Sequence, residues 1–178
     1  MIETIISILI GFGLAASAGF RVFVPLFALS LATHYGYVPV GDSFIWIGGL
    51  PAIICLGVAT VAEIFAYYIP FVDNLLDTIS IPLATIAGTV VMASTLIDLD
   101  PMITWSLAII AGGGTAAAIT TSTAAARATS TLTTGGLGNN FVSSTETATA
   151  SFVSILVIFT PIIAFIVVLL IIFVGIKM

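Results

Sequence analysis

AGGGTAAAITTSTAAARATSTLTTGGLGNN, residues Ala111–Asn140, is the stretch on which the reading of the chain turns. It lies inside an oily protein yet carries almost no large side chain: Ile119, Leu132 and Leu137 are its bulky aliphatics, and Arg127 is its one charge. On a helix, positions spaced three and four apart share a face. Here that face is Thr120, Thr123, Arg127, Ser130 and Thr134, a stripe of hydroxyls around a guanidinium. Lipid does not select such a surface, so the stripe belongs against other helices or against water inside the protein.

Outside this stretch the composition sets the solvent. The 178 residues are 60% hydrophobic and 6% charged, with a mean hydropathy of +1.33, whereas soluble domains carry about 25% charged residues. A spanning helix takes about 20 apolar residues. The length therefore predicts an all-α, polytopic transmembrane bundle of about five spans, six if the first stretch is two segments, and a single domain over 1–178. Eight acids against Arg21, Arg127 and Lys177 give a net charge of −5 and no basic patch, so nucleic acid is not an expected partner. The single Cys55 permits neither an intrachain disulfide nor a cysteine metal cluster. The N-terminal segment ends in a signal-like Ala16-Ser17-Ala18. Glu3 stands where a basic residue would be expected, and the segment reads as a retained membrane helix.

The first apolar stretch, Ile2 to Tyr35, would be about 50 Å long as one helix, too long for a hydrocarbon core of about 30 Å. A break or kink is expected near Gly19, before Pro25. A second span runs from Trp46 to Tyr67-Tyr68-Ile69-Pro70, with aromatic residues marking its ends. Asp73 and Asp77 open a third helix that reaches Ile97, and Asp98-Leu99-Asp100-Pro101 forms an acidic loop. The fourth span enters at Trp105, with an interruption expected near Gly113. The last helix begins near Phe141 and is expected to kink at Thr160-Pro161. Ser17-Ala18-Gly19-Phe20-Arg21 is similar to Thr123-Ala124-Ala125-Ala126-Arg127. Placed antiparallel, the two segments would make an inverted repeat with halves 1–97 and 101–178.

Four blocks occur in a fixed order: Ala18-Gly19-Phe20-Arg21 with Pro25; Pro70-Phe71-Val72-Asp73-Asn74-Leu75-Leu76-Asp77; Ala111-Gly112-Gly113-Gly114-Thr115; and Thr133-Thr134-Gly135-Gly136-Leu137-Gly138-Asn139. In these the chain resembles a family of small prokaryotic integral membrane proteins classed as domain of unknown function 4126. It departs from the family at Thr123, where members often carry Lys, and at Asn140, where they often carry Pro. The resemblance implies a multi-pass protein of the prokaryotic cytoplasmic (inner) membrane and no particular chemistry.

Each charge within an apolar segment needs a partner, a cavity or an interface. Arg21 reads either as a fixed positive charge beside a helix break or as a side chain snorkelling to an interface. Arg127, about 33 Å along a helix from Trp105, reads first as an interfacial cap on the negative helix end. Glu63 shares a face with Thr60 and Tyr67 and is either interfacial or an arginine's partner. Asp73, Asn74 and Asp77 form one polar cluster, and Asn139, Asn140, Ser143 and Glu146 another. Capping explains Asp73 and Asn140, whereas carboxylate, amide and hydroxyl oxygens also suit a hard cation or protons.

No enzymatic motif is present, and no cofactor is expected. The expectation is a small transporter or channel subunit for a small ion or solute, embedded in the lipid bilayer as a homo-oligomer. Its polar path would be lined by Arg21, Glu63, Asp73, Asn74, Asp77, Thr120, Thr123, Arg127, Ser130, Asn139, Asn140 and Glu146. The alternative is a non-transporting membrane scaffold, or a lipid- or quinone-binding protein.

Overall fold

The computed structural model describes residues 2–97 and 99–177, without the side chains of Pro70, Phe71, Asn74 and residues 175–177. Asp98, expected in the acidic loop, and the side chains of Asn74 and Lys177 thus lie outside the described residues. Among these residues every regular element is helical: α1 (Ile2–Ala18), α2 (Phe23–His34), a 3-10 turn (Asp42–Gly48), α3 (Leu50–Ala66), α4 (Pro70–Thr95), α5 (Pro101–Leu107), a π-helical turn (Ala108–Gly113), α6 (Gly114–Thr134), α7 (Asn139–Phe159) and α8 (Pro161–Lys177).

Length and hydropathy make three segments able to cross a membrane: 75–95, 101–134 and 139–159. A fourth is added if the 3-10 turn and α3, bent by 64°, count as one span. The surface is oily. Ile54, Val58 and Phe65 of α3, and Ile162, Ile166 and Leu170 of α8, face outward, whereas Ser17, Ser94, Ser143 and Ser154 are fully buried. This inside-out distribution suits a protein whose solvent is lipid.

α7 shows how the first stretch is laid out. Along α1, Gly13 packs on Val157 and Ser17 bonds to Ala150 and Ser154, while Arg21 beyond the helix end bonds to Ser143. α1 therefore runs against α7. α2 runs with α7, from this end of the bundle to Tyr37, whose ring meets Phe159. The expected break at Gly19 is thus a full reversal, and α1 and α2 form a helical hairpin. α3 then runs antiparallel to α2, with Gly48 beside Thr33, Gly57 against Phe27 and Glu63 against Phe23.

Thr160-Pro161 is likewise a reversal and not a kink. α8 advances alongside α1, from the Phe12–Phe165 ring contact to a groove shared by Phe20, Ile171 and Ile172. The physical reason is the same at both places, because two joined helices of this length would overrun the bilayer.

The fourth span carries the interruption expected near Gly113 as a change of winding and not as a break. The π-helical turn Ala108–Gly113 separates α5 from α6, while the helix runs on from Pro101 to Thr134. Its start is fixed by Asp100, whose side chain accepts the Met102 N–H at 2.8 Å. The glycines serve packing. A Cβ on Gly88 of α4 would stand 2.7 Å from the Gly112 carbonyl oxygen, and one on Gly112 would stand 2.6 Å from that of Gly88. Only a residue without a side chain fits either position.

α4 runs antiparallel to both α1 (Gly11 by Met92, Ala18 in one cluster with Ala84 and Ala87) and α6 (Gly112 by Gly88, Arg127 by Asp73). The two arginine segments are therefore parallel. This corrects the inverted-repeat expectation: the reversal at residues 19–22 adds one change of direction that the sequence reading did not count.

Candidate functional site: a buried ion cluster at the hairpin turn

The α1–α2 turn creates a problem that the rest of the bundle solves. Gly19, Phe20 and Arg21 donate their N–H groups back to α1 carbonyls, but the first N–H groups of α2 have no intrahelical acceptor. Glu63, from α3, supplies it. Its Oε1 accepts the Val22 N–H at 2.8 Å and its Oε2 accepts the Phe23 N–H at 3.0 Å. A carboxylate at a helix N-terminus also meets the positive end of the helix dipole. On the other side, Thr120 Oγ1 donates to the Gly19 carbonyl at 2.9 Å, or to its own helix at Ala116.

The turn delivers Arg21 to the interior at 1% exposure, which removes the snorkelling reading. Its Nε donates to Thr147 Oγ1 at 3.0 Å, and its Nη2 donates to Ser143 Oγ at 2.6 Å and to the Ser143 carbonyl at 3.0 Å. Glu146 Oε2 stands 3.4 Å from Nη2. Ser143, Glu146 and Thr147 are three and four apart, so one face of α7 carries all these partners. Nη1 is a buried donor without a hydrogen-bond partner.

Arg127 is also buried, at 2% exposure, which overturns its reading as an interfacial cap. α6 continues for two more turns to Thr134, so Arg127 is not at the helix end. Its Nε and Nη2 donate to the two oxygens of Glu146, a bidentate pair, and its Nη1 donates to Asp73 Oδ1. Asp77 Oδ1 lies 3.8 Å from Nε. Asp73 is therefore an ion-pair partner and not a helix cap, and its second oxygen accepts from Asn139 Nδ2 at 3.2 Å. Tyr67, read from sequence as an interface marker, is the shared platform: the Cζ atoms of Arg21 and Arg127 lie 3.8 Å and 4.4 Å from its ring centroid.

Between these groups is a polar chamber of about 10 Å³, lined by Glu63, Tyr67, Asp77, Thr120, Thr123, Arg127 and Glu146 among others, room for one water. A second cavity, of about 180 Å³, lies at the α6–α7 turn and is lined by Asp73, Thr131, Gly135, Gly136, Leu137, Asn139 and Asn140. Gly135 makes that turn with φ +64°, the left-handed conformation in which helices often end. A third, apolar groove of about 490 Å³ separates α6 from α8, and Phe20 and Thr123 share in lining it.

Of the twelve residues expected from sequence, Arg21, Glu63, Asp73, Asp77, Arg127 and Glu146 form the cluster. Thr120 and Thr123 line its chamber, and Asn139 bonds to it. Ser130 lies against Gly138 at the α6–α7 turn, Asn140 is exposed at the cavity beside that turn, and Asn74 is outside the described side chains. Ser143 stands beside Glu146 in the polar cluster read from sequence, whereas Thr147 and Tyr67 are partners that reading does not include. The i, i+3, i+4 spacing of Ser143, Glu146 and Thr147 is the signal that points to Thr147. Among the described residues no group of three or more His, Cys, Asp or Glu side chains is arranged to hold a metal ion.

The order of sequence blocks given above agrees with a comparison against family models. The chain belongs to the family described as domain of unknown function (DUF4126), matched over residues 8–178. No curated protein and no solved structure matches it. The DUF4126 match covers every residue of the ion cluster, from Arg21 to Glu146.

Proposed function

We propose that this protein is a small multi-pass transporter or channel subunit for a small ion or solute, located in the prokaryotic cytoplasmic membrane and assembled as a homo-oligomer. One observation carries the reading. Four carboxylates and two guanidiniums are gathered inside a bundle whose α3 and α8 turn apolar faces outward. Burying charge in this way costs several kcal/mol per ion, and a packing scaffold has no use for it. Intramembrane ionisable groups mark substrate paths and proton relays.

In this reading the bundle crosses the membrane about five times, through α3, α4, the α5–α6 helix, α7 and α8. The α1–α2 hairpin enters and leaves on one side, since α2 has only 12 residues. The mouth cavity at the α6–α7 turn admits the solute. The Asp73–Arg127–Asn139 group separates it from the chamber, and the Gly88–Gly112 seam closes the opposite end. Movement of solute requires one of these closures to open in turn.

The apolar groove between α6 and α8 favours a second reading, a lipid or quinone binder. The test is flux across proteoliposomes or current across planar bilayers containing the purified protein, with Arg127→Gln as the comparison. Transport predicts flux above protein-free membranes and altered selectivity in the folded variant. Membranes no leakier than protein-free ones, with a quinone or lipid retained through purification, favour the second reading and overturn the first.

A further inference from the structure

The cluster does not balance. Glu63, Asp73, Asp77 and Glu146 face Arg21 and Arg127, an excess of two negative charges if all are ionised. The N-terminal ends of α2, at Glu63, and of α4, at Asp73, each offset about half a charge. About one negative charge is left uncompensated. We propose that Asp77 carries an exchangeable proton, and that the proton is the ion this site takes up and releases. The inference deepens the transport reading and rests on it for its consequence.

The geometry singles out Asp77 among the four. Glu63 accepts two backbone N–H groups, Glu146 is held by both arginines, and Asp73 is held by Arg127 and Asn139. All three are fixed as acceptors of donated hydrogens. Among the described residues no side chain or backbone N–H donates a hydrogen bond to the Asp77 carboxylate, and the cation within ion-pair reach of it is Arg127, with Nε at 3.8 Å. It lines the chamber and retains 24% side-chain exposure, against 3% for Asp73 and 6% for Glu146. The groups around it are Arg127 from α6, Glu146 from α7, Glu63 and Tyr67 from α3, Arg21 from the hairpin turn, and Asp73 on its own helix. Carboxylates outnumber guanidiniums there, which favours a neutral acid at the position with the fewest donors.

The charge pattern argues for a proton over a metal cation. Among the described residues no group of three or more His, Cys, Asp or Glu side chains is arranged to hold a metal ion, and the Arg127 guanidinium already stands among Asp73, Asp77 and Glu146, where a cation would sit. The unpartnered Arg21 Nη1, on a side chain 1% exposed, points to a water held within the same cluster, which can relay a proton. On uptake a hydronium ion delivers its proton to an Asp77 oxygen and leaves as water. On release the carboxyl returns the proton to water.

The test is infrared difference spectroscopy of the full chain in lipid, between alkaline and acidic buffer. The carboxylic acid C=O band that grows at acid pH and shifts in D₂O should lose one component in Asp77→Asn. Asp77→Glu should restore a component, and Asp42→Asn, at the exposed start of the 3-10 turn, should leave the Asp77 component in place. An unchanged spectrum in folded Asp77→Asn overturns the proposal, as does a band that appears only when sodium is removed. If the Asp77 band titrates in a protein that moves no solute or charge, the transport reading fails and the proton site stands. If flux is present and the band does not belong to Asp77, the proton assignment alone fails.

Discussion

Arg21 Nη2 lies 3.4 Å from Glu146 Oε2, and the same oxygen accepts a hydrogen bond from Arg127. One carboxylate thus ties the hairpin turn to α6 through α7. The coupling is measurable by a double-mutant cycle on Arg21→Gln and Glu146→Gln, followed by unfolding in detergent. Each single change leaves a buried charge short of a partner and should cost about 3–5 kcal/mol. The cycle should return a coupling of about 0.5–3 kcal/mol. Additive losses would mean that the two side chains do not share an ion pair.

Glu63 acts on the backbone of the turn. Glu63→Gln keeps one acceptor oxygen for the Val22 and Phe23 N–H groups, and Glu63→Ala keeps none. The Ala variant should lose about 1–3 kcal/mol for the donors left unpaired, with the Gln variant between it and the parent. Hydrogen exchange at the Val22 and Phe23 amides should speed up in the same order. Equal protection in all three proteins would contradict the cap.

The glycine seam separates tight from open positions on one helix. Gly112→Ala should destabilise by about 1–3 kcal/mol, because its Cβ meets the α4 backbone. Gly114→Ala has open space around it and should be neutral or stabilise by up to about 1 kcal/mol through helix propensity. Thermal unfolding of the two variants side by side checks the contrast.

Much of the site was legible in the sequence because charge in hydrocarbon is so costly. Arg21 in the middle of an apolar run, beside Gly19 and ahead of Pro25, announced a helix break. Glu63 was legible as an arginine's partner, but among the described residues its carboxylate accepts the Val22 and Phe23 N–H groups and makes no ion pair, which falls to Glu146 instead. The reversal was not legible. A four-residue turn looks like a kink when the groups that satisfy its N–H donors come from Glu63, distant in sequence. Arg127 was misplaced because counting along the helix from Trp105 measures length and not where the bilayer ends, and α6 continues to Thr134. Gly112-Gly113-Gly114 was legible as an interruption and as a site of close helix packing, and the structure adds its partner, Gly88 of α4. Tyr67 was read for its membrane-interface preference, a property of the residue type, while its stacking under two guanidiniums is a property of the fold.

The claim at the centre of this account is that the hydroxyl face of α6 lines a wet path. It is tested most directly by thiol labelling in proteoliposomes, in a Cys55→Ser background because Cys55 is exposed. Cysteines are placed singly at Thr123, which lines the chamber, at Ser130 toward the mouth, and at Ala118 and Ala125 on exposed positions away from that lining. The account predicts that a membrane-impermeant reagent modifies positions 130 and 123 and spares 118 and 125, while all four react after denaturation. Position 123 as protected as 118 and 125 in the folded protein would mean a dry helix contact, and would contradict the path.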